Sequence, residues 1–128
     1  MNELIGLQYQ WGANPDTDKG FSDCFQLACA VRRRLSLYDH AKDFAWAYER
    51  YEGTLPPIRM ARWLLTHAKR IDKPRAGCLA MINGKQAALA TMTNNAIICI
   101  APRGRSVSLP LSLKAINNLQ WFLPNSDA

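Results

Sequence analysis

A chain of 128 residues, 48% apolar and 20% charged, holds enough apolar material for one self-supporting core and reads as a single domain over 1–128. No apolar run approaches the roughly 18 residues that span a bilayer. The stretch Met1 to Trp11 lacks a basic segment followed by an apolar core, so the expectation is a protein made in a cytoplasm without a signal peptide, kept there or carried in a virion.

The net charge of +6 suits nucleic acid, an anionic cell-wall polymer or an acidic protein, and does not separate them. Cysteines 24, 29, 78 and 99 show no Cys-x-x-Cys spacing and lie far in sequence from both histidines, which argues against a zinc site. Without a secretion signal a disulfide framework is not expected either. No metal and no cofactor is implied.

Residues 3–11 read as a short helix or an extended lead-in, and 12–21 as a loop rich in Gly, Pro and Asp. The first helix is expected over roughly 23–37, with Ser22 or Asp23 as N-cap and Leu27, Ala28, Val31 and Leu35 at helical spacing. Cys24 then sits on its first turn, where the helix dipole favours a thiolate; the plainer alternative is a small apolar residue packed under a helix. Cys29 reads as a buried thiol on the same helix. Arg32-Arg33-Arg34, the densest basic cluster, reads as a solvated face.

A second helix is expected from about Asp39 to Glu52, capped by Asp39 and stopped by Gly53. A third runs from about Ile58 to Arg70 after Pro56-Pro57, with Ile58, Ala61, Leu64 or Leu65, and Ala68 on its apolar face and His67, Lys69 and Arg70 at its positive end. His40 reads as a surface helix residue. After Pro74 the pattern turns to strands. Cys78 to Ile82 and Lys85 to Met92 flank an Asn83-Gly84 hairpin signal. Ala96 to Ala101 is apolar throughout and suits burial on both faces. Ser106 to Leu111, with Pro110, suits an edge strand. A helical turn over 112–117 and a last strand from Leu119 to Leu123 precede a loose tail at 126–128. Helices first and an antiparallel meander second make an α+β domain.

One stretch carries a more specific pattern: Tyr9-x-Trp11-Gly12, a loop, then Gly20-Phe21 and Asp23-Cys24-x-x-Leu27. It resembles the nucleophile region of the NlpC-type cell-wall cysteine peptidases, a papain-like family whose pattern is Tyr-x-Trp-Gly-Gly followed by Phe-Asp-Cys-Ser-Gly-Leu. The chain departs from it at Ala13, at Ser22 between Phe21 and Asp23, and at Phe25-Gln26. The resemblance implies a papain-like (NlpC-type) fold, with N-terminal helices packed on an antiparallel sheet and Cys24 at the nucleophile position. It makes Tyr9, Trp11 and Asp23 candidate binding residues, the two aromatics rimming a cleft for peptide or glycan; the alternative is that both aromatics are core.

A cysteine hydrolase also needs a base, a group to orient it and donors for the oxyanion. Where the family has His-x-Gly-Ile this chain has Gln86-Ala87-Ala88-Leu89, so Gln86, or Ala87 if the alignment slips by one, replaces the base. A glutamine has no titratable group and cannot act as a general base. The third triad position falls near Cys99. The expectation is a degenerate member that fills a structural or binding place in a larger protein assembly, as in a phage tail, baseplate or virion. The competing reading is an active peptidase on peptidoglycan stem peptides, with a histidine recruited from elsewhere. A third reading, nucleic-acid binding through Arg32, Arg33, Arg34, Arg59, Arg62, Lys69 and Arg70, is disfavoured because no nucleic-acid motif accompanies the charge.

Overall fold

The computed structural model describes residues 1–82 and 88–128. In chain order its elements are β1 (Gln8–Tyr9), β2 (Phe21–Ser22), α1 (Cys24–Arg34), α2 (Ala45–Arg50), α3 (Pro57–His67), β3 (Ala68–Ile71), β4 (Leu79–Ile82), β5 (Ala88–Met92), β6 (Ala96–Cys99), β7 (Val107–Pro110), α4 (Leu113–Asn117) and β8 (Gln120–Pro124). Single 3-10 turns stand at Asn2–Leu4, Ala41–Phe44 and Asn125–Asp127. The domain is thus α+β, with most of its helix ahead of an antiparallel sheet.

The sheet has six strands in the order β3-β8-β4-β5-β6-β7, and every neighbouring pair is antiparallel. From β4 to β7 it is the expected meander. The last strand departs from it: β8 does not extend the meander but inserts between β3 and β4. The chain reaches it by crossing the sheet through α4, whose N-cap Ser112 accepts a hydrogen bond from the Ala115 N–H at 3.1 Å. As the unbroken apolar run implies, β6 is buried at all four positions, and β7, with Pro110, is an exposed edge.

Alternation along the strands divides the interior in two. Leu79, Leu89, Ile98 and Phe122 join the main core under α1, which lies across β5 and β6. Ala80, Ala90, Met92, Ile97, Cys99 and Trp121 form a second cluster on the opposite face, covered by Ala115 and Ile116 of α4. From α1 the main core receives Phe25, Leu27, Ala28, Cys29 and Val31, all buried. Each large apolar side chain so buried contributes at most about 1.5–3 kcal/mol.

Five expectations need correction. The second helix is broken: Ala41–Phe44 is a 3-10 turn, the Asp39 side chain accepts from the Ala41 N–H at 2.8 Å, and only Ala45–Arg50 is α-helical. The third helix ends at His67, because Ala68–Ile71 pairs with Leu123 and its neighbours as β3, so Lys69 and Arg70 lie on a strand. Its buried face is Met60, Trp63 and Leu64, while Ile58 and Leu65 point outward. The tail is not loose, and the basic cluster is not a solvated face. Arg32 is 1% exposed and forms a bidentate pair with Asp127, both bonds 2.8 Å. The same guanidinium donates to the carbonyls of Gly77 (2.8 Å) and Tyr38 (3.2 Å). Gly77 has a φ of +94°, and a side chain there would collide with Leu37, so glycine is what allows its carbonyl to reach Arg32.

Candidate functional site

The turn into α1 is built around Asp23. The parallel pairing of β1 and β2 sets Tyr9 beside Ser22, and so brings the Tyr-x-Trp-Gly segment against the start of the helix. Gly12, at φ +80°, makes the turn that points its N–H at Asp23 Oδ2, 2.7 Å away. Tyr48 of α2 donates its hydroxyl to the same oxygen at 2.7 Å, and the Gln26 N–H donates to Oδ1 at 2.8 Å as the helix cap. Asp23 is wholly buried. Burial pushes its carboxyl above the ordinary range, against the hydrogen bonds from Gln26, Tyr48 and Gly12. Tyr48 and Gln26 were not singled out by sequence; the one available signal was that a buried Asp beside a helix start needs donors.

Cys24 follows on the first turn, as expected, and its thiol lies near the backbone N–H of Leu89 in β5. The side chain is buried. Burial first, then the neighbouring Asp23 charge, push the thiol far above its ordinary value, outweighing the helix-start N–H groups. It is therefore the neutral thiol at physiological pH, the opposite of an activated nucleophile.

The two aromatic candidates are held by backbone carbonyls near the end of α2. The Tyr9 hydroxyl donates to the Gly53 carbonyl at 2.8 Å, and the Trp11 indole N–H donates to the Tyr51 carbonyl at 3.0 Å. Trp11 packs edge-on against Tyr48 with ring centroids 4.8 Å apart and against Phe25 at 6.1 Å. Both aromatics are half-buried and tie the motif to the end of α2. A cavity of about 390 Å³ lies between the N-terminal turn and β6–β7, lined by Met1, Ile98 and Pro110 among others and not by Cys24.

No protein-family model, curated protein or solved structure matches this chain.

Among the described residues, the remaining candidates do not assemble around Cys24. Cys99 lies on the sheet face opposite α1, in the second cluster, so strand alternation alone removes it from reach of the thiol. The β6 side chain that faces α1 is Ile98, which has no polar group. Gln86 and Ala87 lie outside the described residues. His40, expected at the surface, is buried: its Nδ1 meets Asp43 Oδ2 at 3.0 Å and its ring packs edge-on against Trp63 at 5.6 Å. It feels the charges of Arg32 and Asp127, which places it at the far end of α1 from Cys24, about 12 Å along the helix axis. His67 stacks on the same Trp63 at 4.9 Å. Among the described residues no group of three or more His, Cys, Asp or Glu side chains could hold a metal ion, and no helix is long and apolar enough to cross a membrane. All four cysteines are free and buried.

The basic cluster of α1 is also accounted for. Arg33 pairs with Asp16 (2.7 Å) and Asp39 (3.0 Å), and Arg34 with Glu3 (2.6 Å) and Asp16 (2.7 Å). These arginines complement the C-terminal end of α1 and pin the 12–21 loop to it, so they are not free to bind phosphates.

Proposed function

We propose that this chain is an NlpC-like domain that keeps the family's cysteine position without its catalytic base, and serves as a non-catalytic structural or binding component of a larger assembly such as a phage tail, baseplate or virion. The observation that carries the reading is the state of Cys24: a neutral thiol buried in the main apolar core. The packing of the cysteine helix on an antiparallel sheet agrees with what the motif resemblance implies. Without a base, acyl transfer to a leaving amine forfeits a factor of about a hundred to ten thousand. The position of His40, against the Arg32 end of α1, argues against a histidine recruited to restore a peptidase.

The test is incubation of the folded protein with muropeptides, followed by mass spectrometry, with Cys24→Ala alongside. The expected outcome is no cleavage by either. Cleavage that disappears in Cys24→Ala would overturn the reading and establish a peptidase.

A further inference from the structure

Charge is unevenly divided along the chain. Residues 53–128 carry ten Lys and Arg against two carboxylates, Asp72 and Asp127, an excess of eight positive charges, whereas residues 1–52 have eight carboxylates against six Lys and Arg. Asp127 is committed to Arg32. The excess is densest on α3 and β3, where Arg59, Arg62, Lys69 and Arg70 are all exposed and none has a salt bridge among the described residues.

Two large aliphatic side chains stand in the middle of this charge. Ile58 is 67% exposed and Leu65 71%, on one stripe of α3 two turns apart, with Arg62 between them and Arg59 beside them. A solitary exposed leucine is ordinary; a spaced aliphatic pair rimmed by unpaired arginines is not. It has the anatomy of an interface, apolar at the centre and charged at the rim, with arginine the residue enriched in binding surfaces.

We propose that the outward face of α3 is a docking surface for an acidic amphipathic helix of a partner protein. Such a helix lying along α3 sets one aliphatic side chain against Ile58 and another against Leu65, about 10.5 Å apart, and flanking glutamates or aspartates reach Arg59 and Arg62. Charge selects this occupant over two others. A second copy meeting α3 to α3 would oppose arginine to arginine. Nucleic acid would satisfy the arginines and leave the central aliphatics facing phosphate and sugar. The proposal names a contact surface for the binding role given above, and rests on that role rather than on the NlpC resemblance.

The probe is a fluorescent helical peptide with leucines seven residues apart flanked by glutamates, with a control peptide of the same composition and scattered leucines. Binding to the full chain is followed by anisotropy and located by the methyl resonances of Ile58 and Leu65. The expected result is saturable binding of the patterned peptide, shifts confined to those methyls, and a loss of about tenfold or more in both the exposed-site variants Ile58→Ser/Leu65→Ser and Arg59→Glu/Arg62→Glu. Each variant is checked for native circular dichroism. Equal binding of the control peptide, absence of methyl shifts, or binding that survives either variant overturns the proposal. So does a short DNA duplex whose binding falls in Arg59→Glu/Arg62→Glu and not in Ile58→Ser/Leu65→Ser, or a dimer in sedimentation that Leu65→Ser dissolves. Failure here with no muropeptide cleavage removes the docking surface and leaves the non-catalytic reading in place.

Discussion

Replacing Asp127 with alanine removes one partner of the most deeply buried charge pair among the described residues. The side chain of Arg32 is 1% exposed and that of Asp127 6%. The substitution deletes two charge-assisted bonds of 2.8 Å and leaves a guanidinium held only by the Gly77 and Tyr38 carbonyls. Arg32 is fixed in α1 and cannot follow its lost partner to solvent. Breaking a buried pair from one side costs about 3–5 kcal/mol. Water can reach the site once the Asn125–Asp127 turn loosens, so we expect the lower end, about 3 kcal/mol, or a fall in Tm of roughly 10 °C for a chain of this size. Urea unfolding followed by circular dichroism measures it.

The pH dependence has a definite sign. Burial raises the Asp127 carboxyl, but the hydrogen bonds and charge of Arg32 outweigh that and leave it below the ordinary carboxylate value. A depressed carboxyl stabilises the fold above its unfolded value of about 3.9, and that contribution disappears as pH falls through the lower folded value. The gap between wild type and Asp127→Ala should therefore be widest near neutrality and shrink in acid. In Arg32→Met/Asp127→Ala the two losses should sum to less than the separate effects, since each single change strands the other group. A loss below about 1 kcal/mol at pH 7, with additive singles, would class the pair as a screened surface bridge and refute the reasoning.

Asp23→Ala removes the α1 cap and strands the Gly12 N–H and the Tyr48 hydroxyl; we expect a loss of about 3 kcal/mol in chemical denaturation, well beyond the 0.5–2 kcal/mol of a simple cap. His40 is held below the ordinary imidazole value, by burial first, so the native state favours the neutral ring; stability should be full above about pH 6.5 and fall as pH drops through the lower folded value, and His40→Phe should flatten that part of the profile. Iodoacetamide at pH 8 should leave all four thiols of the native protein unlabelled and modify all four in urea, as read by intact mass; rapid modification of Cys24 in the native state would contradict its burial.

What the sequence discloses here is mostly local. The α1 start was legible because Asp23 is a cap residue followed by helical apolar spacing, and the β4–β7 meander because apolar runs alternate with turn residues. The outward face of α3 was misread because two apolar stripes compete on that helix: Ile58, Ala61 and Leu65 repeat as well as Met60, Trp63 and Leu64, and only tertiary packing chooses. β3 was hidden because Lys69 and Arg70 suit a helix C-terminus; pairing with β8, some fifty residues away, makes them a strand. The burial of Arg32 was invisible for the same reason, its partner lying 95 residues along the chain. At the candidate site the motif residues are brought together by β1–β2 pairing. The third triad position falls near Cys99 by likeness to the family alone, and side-chain alternation along β6 turns Cys99 to the opposite face of the sheet.

The position of β8 sets a timetable for folding. Strands β4 to β7 can zip together from near neighbours, and α3 with β3 is a local unit of its own. Among the described residues, β3 is hydrogen-bonded to that meander only through β8, which must close a long loop from both sides before the sheet is continuous. Closure of this kind is slow relative to local zipping. A chain interrupted before Gln120 would hold two preformed pieces with facing, unpaired edges on β3 and β4, the very template on which strands from other molecules assemble.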